Sequence, residues 1–193
     1  MKYFVGGING VGKSHFLKKL KELKPEYETV DGSRAFMDWL GFNNDYEKLR
    51  NLTPTIREAR FTDFVSHTIN NAQAETLVFA CHYLVLVRGD IVQVARDWLT
   101  RFDGAILMKA KPEAIYDRIS KDDRDRALFK ENTTREEALK ILHDFSLKEN
   151  VSFLEMVQSL GLPSMLIDNT GANEMRVVDQ FLEFDAKIRR SYL

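Results

Sequence analysis

Residues Gly7–Ser14 read Gly-Ile-Asn-Gly-Val-Gly-Lys-Ser and come just after the apolar run Tyr3-Phe4-Val5. No other segment limits the fold so strictly. The spacing G-x-x-x-x-G-K-[ST] is that of a phosphate-binding loop. It works only where a buried strand ends, the chain turns tightly and a helix starts near the lysine. The glycines let backbone N–H groups curl around phosphates without a Cβ clash. Lys13 supplies positive charge to the β/γ-phosphates, and the Ser14 hydroxyl is placed for Mg²⁺. The helix that begins near Gly12 turns its positive dipole end toward the same anion. The ATP-binding candidates are therefore Gly7, Asn9, Gly10, Val11, Gly12, Lys13 and Ser14, with Lys13 also catalytic and Ser14 also a metal ligand. Phe16, Leu17, Leu20 and Leu23 follow at helical spacing, with Lys18, Lys19, Lys21 and Glu22 on the outer face. The required order of strand, loop and helix is thus present.

Apolar runs predict five strands, at Lys2–Val5, Tyr27–Val30, Thr76–Cys81, Ala105–Lys109 and Ser164–Ile167. Helical patterns lie between them. Thr53-Pro54 reads as an N-cap followed by proline at the first helical position, for a helix carrying Ile56, Phe61, Phe64, Val65 and Ile69. Thr133 and Glu136 form a capping box for a long helix ending before Gly161. Asn173 caps a last helix with Val177, Val178, Phe181, Leu182 and Ile188. This alternation predicts an α/β fold, a five-stranded parallel sheet with helices on both faces, in one domain over residues 1–193. Ligands then bind at the C-terminal ends of the strands. Two segments exceed a minimal alternation. Residues 33–73 insert helices between the second and third strands, and the charged stretch 111–132 follows the fourth. Each is a candidate flap over the site.

A chain of 193 residues can bury a substantial core. Its net charge of −1 speaks against a general nucleic-acid or membrane-surface binder. The single cysteine, Cys81, excludes an internal disulfide and suits a reducing compartment. The phosphate loop occupies the place of a signal-peptide core, and the longest apolar run, Leu77–Val87, includes His82 and is too short to cross a bilayer. The expectation is a cytoplasmic protein, a monomer or a small homo-oligomer, with a nucleotide and a small-molecule acceptor as its partners.

Several residues carry two readings. Arg118, Arg124 and Arg126 are either a closing lid that clamps transferring phosphates or a solvated helix end paired with Asp122, Asp123 and Asp125. Asp31, with Gly32, either holds Mg²⁺ or an acceptor, or caps the following helix. Arg50 binds an acceptor phosphate or is a surface residue, and Arg57 is a weaker version of the same idea. His82 contacts a substrate or phosphate, or is a hydrogen-bonded strand end. A phosphate-loop enzyme usually has an acid at that strand end to support Mg²⁺. Here the chain reads Ala80-Cys81-His82.

These residues resemble the phosphate-loop nucleoside-monophosphate kinases, and most of all the archaeal-type adenylate kinases. Gly7–Ser14 is close to that family's loop. Asp45-Tyr46-Glu47-Lys48-Leu49-Arg50-Asn51-Leu52 is similar to the segment before its acceptor-site helix, which implies that Arg50 binds the acceptor's phosphate. His82 matches the histidine of the family's Asp-Thr-His strand end. Arg118, Arg124 and Arg126 look like the lid arginines. Asn169, in Asp168-Asn169, falls where the loop after the fifth strand packs against the donor adenine. Ala80 stands in place of the family's aspartate, Lys148 and Asn150 stand where a later lid-helix arginine is usual, and the glutamines that recognise an acceptor adenine are missing from Thr55–Phe64. The resemblance implies a three-layer P-loop kinase fold, a helical acceptor-binding insertion at 33–73 and an arginine-rich lid at 111–132. It also implies ATP and Mg²⁺ as cofactors. The function expected is ATP-dependent phosphoryl transfer to a nucleotide or nucleoside. The alternatives are a small-metabolite kinase of the shikimate or gluconate type, suggested by an aspartate ending the second strand, and a regulatory nucleotide-binding ATPase.

Overall fold

Strands that are apolar on both faces pair in parallel, and the chain builds its sheet from them. The computed structural model describes residues 1–193 except 44, 88–89, 94–96, 123–127, 172 and 193. In chain order its elements are β1 (Lys2–Gly6), α1 (Lys13–Leu23), β2 (Glu28–Asp31), α2 (Gly32–Trp39), α3 (Tyr46–Arg50), α4 (Pro54–Asn71) and β3 (Leu77–Ala80). Then come β4 (Leu84–Val87), β5 (Asp90–Gln93), a 3-10 turn at Asp97–Arg101, β6 (Gly104–Lys109), α5 (Pro112–Ser120), α6 (Arg135–Leu160), β7 (Ser164–Asp168) and α7 (Glu174–Ser191). Five strands form a parallel sheet in the order β2-β3-β1-β6-β7. The three central strands are buried almost throughout, while β2 and β7 at the edges are not. None of the helices among the described residues is long and apolar enough to cross a membrane.

Helices cover both faces of the sheet. On one face lie Phe16, Leu17 and Leu20 of α1, Ile115 of α5, and Val177, Val178, Phe181 and Ile188 of α7. On the other lie Phe36 of α2, Phe61, Phe64, Val65 and Ile69 of α4, Trp98 and Leu99 of the 3-10 turn, and Phe102 just after it. Phe4 anchors this second face, with ring centroids 4.7 Å from Trp98, 4.8 Å from Tyr83 and 5.5 Å from Phe102. Such pairs add about 0.5–1.5 kcal/mol each beyond the area they bury. Among the described residues, α6 is the only helix that feeds both faces. Leu142 and Phe145 join the first cluster, and Phe153, Met156 and Val157 join the second. Its middle turns therefore pass the top of the sheet, where the strands end.

Four details differ from the sequence expectation. The run Leu77–Val87 is two strands, because the chain leaves the sheet at Cys81 and turns back as an antiparallel β4–β5 hairpin. The capping box lies one residue later, at Thr134 and Glu137. Thr133 instead spends its hydroxyl on the Lys130 carbonyl, at 2.7 Å. Ile56 and Leu23 are exposed, since both lie at helix ends beyond the reach of the sheet. The remaining caps fall as expected, with Thr53 accepting from the Ile56 amide and Asn173 from the Arg176 amide.

At the bottom of the sheet, by the strand N-termini, Asp185 of α7 is buried within a closed network. It accepts from the Tyr3 hydroxyl (2.6 Å), the Tyr27 hydroxyl (2.7 Å) and Arg189 Nε (2.9 Å). Arg189 also donates to the Thr76 hydroxyl at 2.5 Å. Burial acts to raise the Asp185 pKa, but the hydrogen bonds from Tyr3, Arg189 and Tyr27 outweigh it and hold the carboxyl below its ordinary value. Both tyrosines are pushed up by burial and by this carboxylate, Tyr27 to about 12.

Candidate active site

The loop between β1 and α1 needs its glycines for two reasons. Gly10 and Gly12 have φ of 81° and 106°, which side-chain-bearing residues avoid. A Cβ on Gly10 would also lie 2.7 Å from Ile119, and one on Gly12 2.3 Å from the Asn169 amide. The loop is thus pressed between α5 and the segment after β7. Gly7 (φ 144°) and the buried Val11 complete the turn, and Asn9 is half-buried within it.

Lys13 folds back over this turn. Its ammonium donates to the Gly7 carbonyl and to the Ile8 carbonyl at 3.1 Å, and lies 3.4 Å from His82 Nδ1. His82 Nδ1 is also 2.9 Å from the Gly7 carbonyl, so the ring sits between the loop and the Lys13 ammonium. Ser14 donates to Asp31 Oδ2 at 2.6 Å, while Asp31 Oδ1 accepts from the Arg34 amide at 3.5 Å. Asp31 therefore caps α2, as one of its sequence readings has it, and meets the loop serine with its other oxygen. Its register partner on β3 is Ala80. An acid thus ends the neighbouring strand, level with Ala80. Ser14 and Asp31 give two hard oxygens side by side, the donor type Mg²⁺ prefers when water and phosphate fill the rest of its shell. Gly32 is fixed by packing, since a Cβ there would lie 2.7 Å from the Phe79 ring.

On the β6–β7 side, Arg118 of α5 donates to the carbonyls of Val11 (3.2 Å), Gly10 (3.4 Å) and Asn169 (2.7 Å). Asn169 Nδ2 donates to the Val11 carbonyl at 2.8 Å. The structure thus brings together Lys13, Ser14, Asp31 and His82 on one side of the loop, and Arg118 and Asn169 on the other. Arg50 pairs within α3 with Glu47. Arg57 is half-buried near the start of α4. Arg124 and Arg126 lie outside the described residues.

One residue at this site was missed by sequence reasoning. Glu149 of α6 is only 3% exposed. Its carboxyl lies close to the backbone amides of Ile8 and Leu84, which follow β1 and begin β4, and to the charge of Lys13. Its Oε1 is buried with no hydrogen-bond partner. Burial pushes the carboxyl up to about 8, against the pull of Lys13 and of the two amides. A signal was present in the sequence. Leu142, Phe145, Phe153 and Met156 form an apolar stripe, and Glu149 interrupts it at the matching helical position. Beside it, burial and then the nearby Glu149 push the Tyr83 hydroxyl up. The Tyr83 ring stacks over Gly6, where a Cβ would lie 2.0 Å from it.

A parallel sheet in this strand order, with the phosphate loop after the central strand and helices on both faces, is the three-layer P-loop kinase fold. Two solved structures have it over nearly their whole length. A shikimate kinase from Acinetobacter baumannii in complex with shikimate matches with a TM-score of 0.58 at 16% identity, over 96% of this chain and 93% of its own. A shikimate kinase from Bacteroides thetaiotaomicron matches with a TM-score of 0.64 at 11% identity, over 95% of this chain and 97% of its own. No protein-family model matches the sequence, and no curated protein matches it.

Proposed function

We propose that the protein is an ATP-dependent kinase that phosphorylates a small molecule. The observation that carries this reading is the convergence of Lys13, Ser14 and Asp31 on the phosphate loop. Phosphoryl transfer asks a protein mainly for positioned charge, and these groups supply it. The loop amides and Lys13 hold the β/γ-phosphates. Lys13 exchanges the Gly7 and Ile8 carbonyls for phosphate oxygens as nucleotide enters. Ser14 and Asp31 hold Mg²⁺, which when bound neutralises phosphate charge. Arg118 and Asn169 brace the loop on the side where the donor base lies. Arg124 and Arg126 in the 111–132 lid close over the transferring group. The insertion 33–73, with Gly32, Arg50, Arg57 and His82, forms the acceptor side.

A non-nucleotide acceptor is the stronger form of the proposal. The two structural neighbours are shikimate kinases, one of them in complex with shikimate, and an aspartate ends β2 here. The adenylate-kinase-like form relies on Arg50 for the acceptor phosphate, and that side chain is engaged with Glu47. The deciding experiment measures ADP release from ATP and Mg²⁺ against a panel of hydroxy acids, polyols, nucleosides and AMP. Acceptor-dependent release that disappears in Lys13→Ala supports a kinase, and the responding acceptor selects between the two forms. ADP release at the same rate with every acceptor and with none makes the protein an ATPase and ends the proposal.

A further inference from the structure

Glu149 is not needed to build the fold. An apolar residue at its place would continue the stripe of α6, yet the chain buries a carboxylic acid there. Its position is specific. It lies where α6 passes the strand ends, against the first turn of the phosphate loop. The carboxyl lies beside the amides of Ile8 and Leu84, so the first turn of the loop packs against α6. The charged and titratable groups that face it among the described residues are Lys13, at the start of α1, and Tyr83, in the link after β3, while His82 of the same link contacts Lys13.

We propose that Glu149 is a positioning residue for the phosphate loop and Lys13, and that its carboxyl takes up a proton when nucleotide binds. This rests on the reading of the loop as a nucleotide site. In the structure described here, the Lys13 ammonium rests on the loop carbonyls and its charge favours the ionised carboxyl. Phosphates draw that ammonium toward themselves and bring negative charge of their own. Both changes favour the neutral acid, and the buried Oε1, which lacks a partner, already does so. The proton comes from solvent. Ionised Glu149 and bound nucleotide therefore oppose each other, and affinity must fall as pH rises beyond the raised pKa of the free protein.

The test is calorimetric titration of the intact protein with ADP, from about pH 7 to about pH 9.5, in two buffers of different ionisation enthalpy. Histidine and the phosphate groups titrate lower, at about pH 6 to 6.5. Wild-type protein is expected to take up a fraction of a proton that grows toward one above about pH 8, with affinity falling by up to about tenfold per pH unit. Glu149→Gln keeps an acceptor for both amides. It is expected to bind within about threefold of wild type at neutral pH, with no proton uptake and a nearly flat pH profile. A purely structural glutamate would leave the two profiles parallel. Parallel profiles overturn the proposal and leave the nucleotide site standing, because they would assign the pH dependence to Lys13. Absence of proton uptake in the wild type overturns it whether or not the variant folds. Absence of ADP binding by the wild type removes the nucleotide reading and this proposal together.

Discussion

Two carboxylates are buried among the described residues, at opposite ends of the sheet, and their surroundings have opposite effects. Asp185 at the bottom is surrounded by donors, so its ionised form is held and its pKa lowered. Glu149 at the top has two amides and a nearby lysine, but one oxygen remains without a partner and its pKa is raised. A satisfied buried charge serves the fold. An unsatisfied one costs stability, and it persists where a site uses it. The strand N-termini therefore look like the structural end of this molecule and the strand C-termini like its chemical end, as ligand placement in open α/β sheets leads one to expect.

The largest effect should come from Asp185→Ala. It orphans the Tyr3 and Tyr27 hydroxyls and leaves Arg189 without its carboxylate, at a cost of about 3 kcal/mol in denaturant unfolding, while nucleotide binding per folded molecule stays at the wild-type level. Loss of binding without loss of stability would collapse the contrast between the two ends. At the top, Asp31→Asn keeps the cap of α2, since asparagine caps as well as aspartate. It should lower acceptor-dependent turnover by about 100-fold and leave stability within about 0.5 kcal/mol. Steady-state kinetics beside a melting curve checks both halves. Glu149→Gln should stabilise the protein by about 1 kcal/mol above pH 8, because it removes a buried charge that the native state disfavours. A lower melting temperature at that pH would show that the carboxylate is better satisfied than its geometry indicates.

The smallest effects are the pH dependences of stability. Asp185 is lowered, so its contribution is complete above the ordinary aspartate pKa and is lost as pH falls through its native value. Glu149 is raised, so its penalty is absent in acid, grows as pH climbs from the ordinary glutamate value, and levels off above about 8. Across pH, the unfolding free energy of Asp185→Ala should therefore lie below wild type near neutrality and converge on it in acid, whereas that of Glu149→Gln should rise above wild type in alkali.

Local rules made most of the fold legible. The five strands of the main sheet fall within two residues of their expected limits, because four of them end at a glycine or a charge and β3 ends where Cys81-His82 breaks its apolar run. The β4–β5 hairpin was hidden because β4 shares with β3 a single apolar run broken only by His82. The capping box was ambiguous by one residue because Thr133-Thr134 and Glu136-Glu137 fit the same spacing twice. At the site, the loop could be read from its motif, whereas the pairing of Ser14 with Asp31 depends on which strand lies next to β1's neighbour. Spacing along the chain does not contain that information. Glu149 was hidden for a related reason. A glutamate on a long helix reads as surface until the helix is seen to pass over the strand ends.

The helix starts hold one more consequence. Side chains cap α2, α3, α4, α6 and α7, but α1 begins at Gly12 with no side-chain cap and no acidic residue in its first turn. Its leading amides, Lys13 to His15, should exchange with deuterium far faster than the first-turn amides of α6, whose capping box shields them. A bound polyphosphate would act as the missing cap, so protection gained at these few amides offers a direct gauge of occupancy, readable residue by residue and without any knowledge of the acceptor.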